Sequence, residues 1–425
     1  MAAFLVRTLS LGPADRDYFG DDTGSIFEDF INRLAASGIT TGCGSATFCP
    51  NTTITREQMA ALLVRGYGYS DAGTDRFTDD ESSPFQADIN RLDQAGITTG
   101  CASNRFCPLD PVLRDQMATF LARAEVLEPI PVEAGCSILP ADNIWNARVD
   151  NLPVHSRSSQ FISSIGISTT LHPDFGSGVW PPGSTSPIGI PYIEVPADQP
   201  PVDVVYTDYG DESDPGPFPI PATAPVEGGP SGDGDRHVIV LDRGNCQLYE
   251  LFRGFPQVGG YWTASSGAAY DLRSNALRPE EWTSADAAGL PIFPGLVRFD
   301  EAAVGYIGHA IRFTASQTQR AYVWPARHFA SSNTSLNLPP MGQRFRLKAN
   351  FDLSGFSPQV QVILTAFKQF GLILADNGSS WYISGAPDER WDNDMLRELK
   401  TIPGSAFEAV DVSSLQVSPD SGQAG

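Results

Sequence analysis

The sequence predicts an α+β multidomain chain. The N-terminal part reads as all-α helix-loop-helix repeats. The C-terminal part reads as a mainly-β domain, sandwich or barrel-like, with one clear helix near 357–371. Three observations carry that prediction. A segment near the N-terminus recurs at an offset of 58 residues. The composition changes at Cys136, beyond which all seven Trp and all five His lie. Charged residues make up 18%, while Gly and Pro number 40 and 34, which favours turn-rich, strand-rich structure over long helices. The 425 residues suffice for two or three domains. The expected organisation is a partial repeat at 1–13, repeats at 14–70 and 71–125, a linker at 126–135, a β-rich domain at 136–415 and a disordered tail at 416–425.

The repeats come first. FEDFINRLAASGITTGCGSATFCP (27–50) returns as FQADINRLDQAGITTGCASNRFCP (85–108), and REQMAALLVR (56–65) as RDQMATFLAR (114–123). The same offset aligns Met1 with Met59 and Met117, so the chain is expected to begin in mid-repeat, with upstream residues absent. MAAFLVRTLSL has no basic n-region and no small-residue cleavage site, so it is not read as a signal peptide. Phe27, Ile31, Leu34 and Ala35 fall at helical spacing, GITTG breaks the helix, and Thr55 is placed to cap the second one. Repeated units of this kind bury their faces against one another.

With the helix ending in GITTG and the phrase ITREQMA (54–60), these units resemble S-layer homology repeats over about 125 residues. The resemblance implies attachment to a cell-wall polymer outside the cell. It maps the family's T-R-A-E type motif onto Thr55, Arg56, Glu57 and Gln58, and onto Leu113, Arg114, Asp115 and Gln116, with Arg56 and Arg114 as polymer-binding residues. Both copies end in Gln, and the second lacks the Thr.

Six cysteines allow fifteen pairings. The repeat singles out Cys43–Cys49 and Cys101–Cys107, each closing a short loop, and leaves Cys136 with Cys246. Disulfides imply an oxidising compartment. A zinc site is the competing reading, weakened because every His lies beyond residue 150. The net charge of −22 argues against nucleic acid as a partner, and no apolar run approaches 18 residues, the length of a transmembrane helix.

In the C-terminal part, 236–242 and 246–252 read as a hairpin, with further strands at 261–272, 309–315, 321–326 and 344–353. The helix is SPQVQVILTAFKQFGLIL (357–374), with Ser357 as cap, Pro358 in the first turn and Gly371 at its end. The strings at 284–301, 322–332, 338–349 and 375–392 look like those of a group of secreted bacterial proteins, a resemblance that implies no particular chemistry.

Candidate chemistry centres on VEGGPSGDGDRHVIV (226–240). Glu227, Asp235 and His237 converge there at the mouth of a strand, and paired carboxylates are the machinery of glycoside hydrolysis. Strand alternation puts Asp235 and His237 on one face. His309 is a further catalytic candidate. Trp324, Arg327 and His328 in WPARHF, with Arg312 and Asp376, are candidates for binding sugar. No cofactor is expected, although the acids of 208–216 could hold calcium. H-E-x-x-H, G-x-S-x-G and Walker A patterns are absent. The expected function is an exported, wall-anchored protein acting on polysaccharide, as a glycoside hydrolase or a lyase. The alternatives are a carbohydrate-binding or adhesive module and a structural surface-layer component.

Overall fold

The computed structural model describes residues 1–9, 11–69, 75–95, 97–98, 100–102, 104–124 and 131–425, apart from the side chains of Asp115 and Ala122. The chain forms two compact units, Met1–Pro129 and Ile130–Gly425. Residues 126–130 of the expected linker lie outside the described residues.

The regular elements of the first unit are the helices α1 (Ala2–Thr8), α2 (Glu28–Ala36), α3 (Arg56–Tyr67), α4 (Gln86–Gln94) and α5 (Arg114–Ala124). Equivalent positions of the repeat fill one core: Ile31 with Ile89, Leu34 with Leu92, Met59 with Met117, and Leu5 with Leu63 and Leu121. Thr55 caps α3 in a full capping box with Gln58, and Gly68, at φ +73°, ends the helix. The Gln of the motif thus closes the box. At α5 only the Gln116 half is present, because Leu113 has no side-chain oxygen to return the bond. Each disulfide loop hangs on a carboxylate 58 residues from its counterpart. Asp21 accepts from the N–H groups of Phe48 and Cys49, and Asp79 from those of Phe106 and Cys107. The bridges Cys43–Cys49, Cys101–Cys107 and Cys136–Cys246 all form.

The second unit is largely β. Its strands are β1 (Val132–Glu133), β2 (Cys136–Ser137), β3 (His172–Asp174), β4 (Tyr192–Val195), β5 (Val204–Tyr206), β6 (Val238–Asp242), β7 (Gln247–Phe252), β8 (Phe255–Pro256), β9 (Trp262–Ala264), β10 (Ser266–Asp271), β11 (Ile311–Ala315), β12 (Arg344–Leu347), β13 (Leu372–Asn377), β14 (Tyr382–Ser384) and β15 (Phe407–Val410). They form open sheets of order β15-β12-β13-β11-β14-β3, β10-β7-β6-β4 and β5-β9-β8, with β1-β2 a small hairpin across the end of the expected linker. Among its helices are α6 (Ser158–Ile165), α7 (Phe299–Val304), α8 (Pro358–Gln369) and α9 (Asn393–Leu396).

Several expectations are corrected. The sheets are open rather than closed into a barrel, and several of their strand pairs are parallel. β11 runs parallel to β13, β14 to β3, β4 to β6 and β5 to β9. Parallel neighbours need crossover connections, and the stretch containing α8 supplies one between β11 and β13. Residues 321–326 contribute one isolated bridge, Tyr322 to Met341, in place of a strand. The apolar run 372–374 leaves the helix at Gly371 and becomes β13. Gly371 sits at φ +73°, and a Cβ there would meet Phe345 O at 2.1 Å, so the reversal requires glycine. The tail 416–425, polar enough to read as disordered, is tied down by its backbone. Gly422 O accepts from Ile144 N (2.8 Å), and Ala424 N donates to Asp142 O (2.7 Å).

Candidate functional site

The site is built where β11, β13, β14 and β3 lie side by side and meet the loops before β6 and before α7. The loop 226–236 is pinned by Arg236, whose guanidinium donates to the carbonyls of Gly229, Pro230, Gly232 and Gly254 and lies over the Phe255 ring. That clamp sets Glu227 against His237. Glu227 N donates to His237 O (3.0 Å), and Glu227 Oε2 lies 2.6 Å from His237 Nδ1. His237 Nε2 is 3.0 Å from Ala285 O. Both ring nitrogens therefore face acceptors, the arrangement of an imidazolium. Burial alone would push His237 down, but the adjacent Glu227 carboxylate overcomes it and pushes the ring up to about 9. Burial would raise Glu227, yet His237 and then Arg312 hold it below its ordinary value.

Arg312 is buried in β11. Its Nε and Nη2 grip both oxygens of Asp286 at 2.6 and 2.8 Å, and Nη1 donates to Ser384 Oγ at 2.7 Å. Nη2 also reaches Asp376 Oδ2 at 3.3 Å. Burial and the charge of Asp286 push Asp376 up to about 7, against the pull of Arg312 and His237. Asp376 reaches this side of the sheet through an irregularity. The register of β11 on β13 shifts between Phe313 and Thr314, so Asp376, not Ala375, stands opposite Thr314. Without the shift the carboxylate would point to the other face. Asp174 on β3 stands beside Ser384 in register, and burial with the nearby charge of Glu227 pushes it up. Beneath the cluster, Glu250 is buried and accepts from the N–H groups of Ile292 and Phe293. Burial pushes it up to about 7.

The structure thus gathers Glu227, His237, Arg312 and Asp376 into one electrostatic cluster, with Asp235 exposed at its edge and close enough to act on His237 and Asp376. Asp235 and His237 do not share a strand face as expected. Arg236 between them has φ +48°, β6 begins only at Val238, and Asp235 is exposed while His237 is buried. His309 is not brought in. It lies before β11 and belongs to a separate buried network, 3.1 Å from Glu301 Oε2 and 3.3 Å from Arg298 Nη2.

Trp324 and Arg327 serve the C-terminal tail. Trp324 Nε1 donates to Ser421 O (2.7 Å), and Arg327 bonds Pro419 O and Asp420. His328 Nδ1 lies 2.9 Å from Ala287 O, one residue from Asp286. Three of the four acids of 208–216 are directed to separate protein donors. Asp208 accepts from Thr207 and Ser265, Glu212 from Thr283 N, and Asp214 from Arg278 and Ala269 N. Asp286, Asp174 and Ser384 were missed. Asp286 carries no spacing signal in SADAAG, and the other two enter only through strand register.

In the first unit the two motif arginines differ. Arg56 is buried, its Nε donating to Phe106 O (2.8 Å) and its guanidinium lying over the rings of Phe106 and Phe120. Arg114 is exposed. With Arg7, Phe4, Phe27 and Leu113 it lines a cavity of about 300 Å³.

Two comparisons bear on these features. Residues 19–60 match the S-layer homology domain. Over 100 residues the chain is 33% identical to an endoglucanase of Bacillus sp. (strain KSM-635), a stretch that makes up 23% of this chain and 11% of that enzyme. Among the described residues no helix is long and apolar enough to cross a membrane. The S-layer homology domain at residues 19–60 associates this chain with the cell surface or cell wall.

Proposed function

We propose that the second unit hydrolyses glycosidic bonds of a polysaccharide at the cell surface, with the first unit holding it to a wall polymer. One observation carries this reading. Two carboxylates of a single cluster are driven in opposite directions, Asp376 up to about 7 and Glu227 down. Pairs separated in this way divide into acid and base. Asp376 holds a proton near neutrality and donates it to the leaving oxygen. Glu227, kept ionised by His237, acts as nucleophile or activates water. About 25% of the Glu227 side chain and 20% of the Asp376 side chain reach solvent, so a bound sugar can touch both. Arg312 positions Asp376 through the longer of its carboxylate contacts.

A lyase is less well supported, because it needs a cation free to neutralise a uronate. Arg312 is already engaged by Asp286, Ser384 and Asp376. The similarity to an endoglucanase agrees with polysaccharide as the substrate class. For the wall polymer, the groove at Arg114 is the better candidate than Arg56, since two exposed or half-exposed guanidiniums, Arg7 and Arg114, line it beside aromatic rings.

The test is incubation of the full chain with a panel of plant, algal and bacterial polysaccharides, with products read by mass spectrometry. Hydrolysis yields fragments that have gained water. Asp376→Asn and Glu227→Gln should each lower the rate by about 10²–10⁴-fold. Unsaturated products, or full activity in both variants, would overturn the assignment.

A further inference from the structure

The sheet β5-β9-β8 presents an unusual outer face. Along β5 burial alternates. Val204 and Tyr206 turn inward, with Trp262 and Ala264 of β9, onto a core of Phe218, Ile220, Val238 and Val240. The outward row is not the polar series expected of a half-buried strand. It holds Asp203 and Val205, then Tyr261 and Thr263, and Val205 and Tyr261 are both exposed. Trp262 N donates to Asp203 O (2.9 Å), which sets Asp203 beside Tyr261. Val205 stands opposite Thr263 in register. The hairpin turn is fixed by Gln257, whose N–H donates to Tyr261 O (2.9 Å) and whose Nε2 donates to Thr263 Oγ1 (3.0 Å). Asp203, Val205, Tyr261 and Thr263, with Pro201, Val202, Gly259 and Gly260, line an open cavity of about 580 Å³, within the usual range of ligand clefts. At Gly260 a Cβ would find nothing within 4 Å, so the turn leaves the cavity's rim open.

We propose that this groove is a second glycan-binding site, distinct from the carboxylate cluster, and that it takes an uncharged polysaccharide chain. Its parts match that ligand. The Tyr261 ring offers a flat apolar surface for the C–H face of a pyranose. The Asp203 carboxylate has two oxygens to accept from neighbouring hydroxyls. Thr263, whose hydroxyl is oriented by Gln257 Nε2, adds a polar wall. The cavity opens over the side-chain face of the sheet, not along a strand edge where an extended peptide would add as a further strand. Charge selects the class of sugar. Asp203 is the residue of the described cavity wall that is charged at neutral pH, and the chain carries −22 overall, so a uronate or phosphate-bearing polymer is repelled. None of the lining residues belongs to the hydrolytic cluster, so the site would raise the local concentration of a chain that the cluster cuts.

The test is isothermal titration of the full chain carrying Glu227→Gln, which keeps ligand intact, with cellohexaose, laminarihexaose and tetragalacturonate. At least one neutral hexasaccharide should bind and tetragalacturonate should not. Tyr261→Ala should weaken that binding about tenfold, while Tyr261→Phe, which keeps the ring, should stay within about twofold. Asp203→Ala should also weaken it. Binding that survives both Tyr261→Ala and Asp203→Ala belongs to the carboxylate cluster or the Arg114 groove and refutes the second site while leaving the hydrolase reading intact. Binding of tetragalacturonate, or of none of the three, also refutes it.

Discussion

Replacing Glu227 by Gln changes one half-buried charge and leaves the shape of the side chain nearly intact. In the native chain His237 is pushed from the ordinary 6.5 to about 9 by a carboxylate 2.6 Å away. A folded-state value above the unfolded one means that folding is linked to proton uptake. The resulting stabilisation is full below about pH 6.5, declines as pH rises, and is gone above about pH 9. The gap corresponds to roughly 3 kcal/mol at about 1.4 kcal/mol per unit. In Glu227→Gln burial and Arg312 are opposed only by the lesser pull of Asp235, so His237 falls and this contribution is lost. Glu227 titrates at the acid end and does not enter the window. The assay is urea unfolding followed by Trp fluorescence. Every Trp lies beyond Cys136, so the signal reports the second unit alone. The stability difference between wild type and variant should shrink by roughly 3 kcal/mol from pH 6 to pH 10. Subtracting the variant removes the other groups that titrate in this range. A difference that stays constant over that span would show that His237 is not held as an imidazolium, and the base assigned to Glu227 would lose its support.

Three further outcomes are expected. If Asp376 is the acid, kcat/KM on polysaccharide should fall as pH rises through about 7, because the protonated form is lost, and Asp376→Asn should abolish that limb. Arg312→Met leaves Asp286 buried without its bidentate partner and should destabilise the second unit by about 3–5 kcal/mol, measured by the same Trp fluorescence. Arg114→Ala should reduce cosedimentation with purified cell walls without changing the thermal unfolding of the first unit. Arg56→Ala, which empties a site packed on Phe106 and Phe120, should lower that unfolding temperature instead.

The repeat, the three disulfides, the β6–β7 hairpin and the start of α8 were legible in the sequence because local rules govern them. Thr55 and Gln58 are a capping pair whatever surrounds them, and a disulfide loop repeated at a fixed offset names its own partners. Four members of the cluster, Glu227, His237, Arg312 and Asp376, were also singled out, from residue type and from position at strand ends. The failures have non-local causes. WPARHF looked like a sugar platform, but its Trp324 and Arg327 hold residues 419–421, a contact spanning some ninety residues that no local pattern encodes. The same contact explains why a polar tail is ordered. Its backbone groups find partners in the second unit, which composition cannot foresee.

The alternation rule failed at the site itself, for Asp235 and His237, and the reason extends to its neighbours. Period-two reasoning assumes that a strand is regular and continues through the residues considered. His237 lies one residue before β6, after Arg236 at φ +48°, and His309 lies two residues before β11. Asp376 is inside β13, but a register shift turns it toward Arg312. In each case the polar side chain sits where the ladder is broken or displaced. That is where a charged group can leave the apolar face of a buried sheet and still find partners. A regular β11–β13 pairing would have left Ala375 on the Arg312 face and turned Asp376 to the opposite one. The irregularity that turns Asp376 toward Arg312 is encoded by no local pattern, and departures from strand regularity mark the site better than residue spacing does.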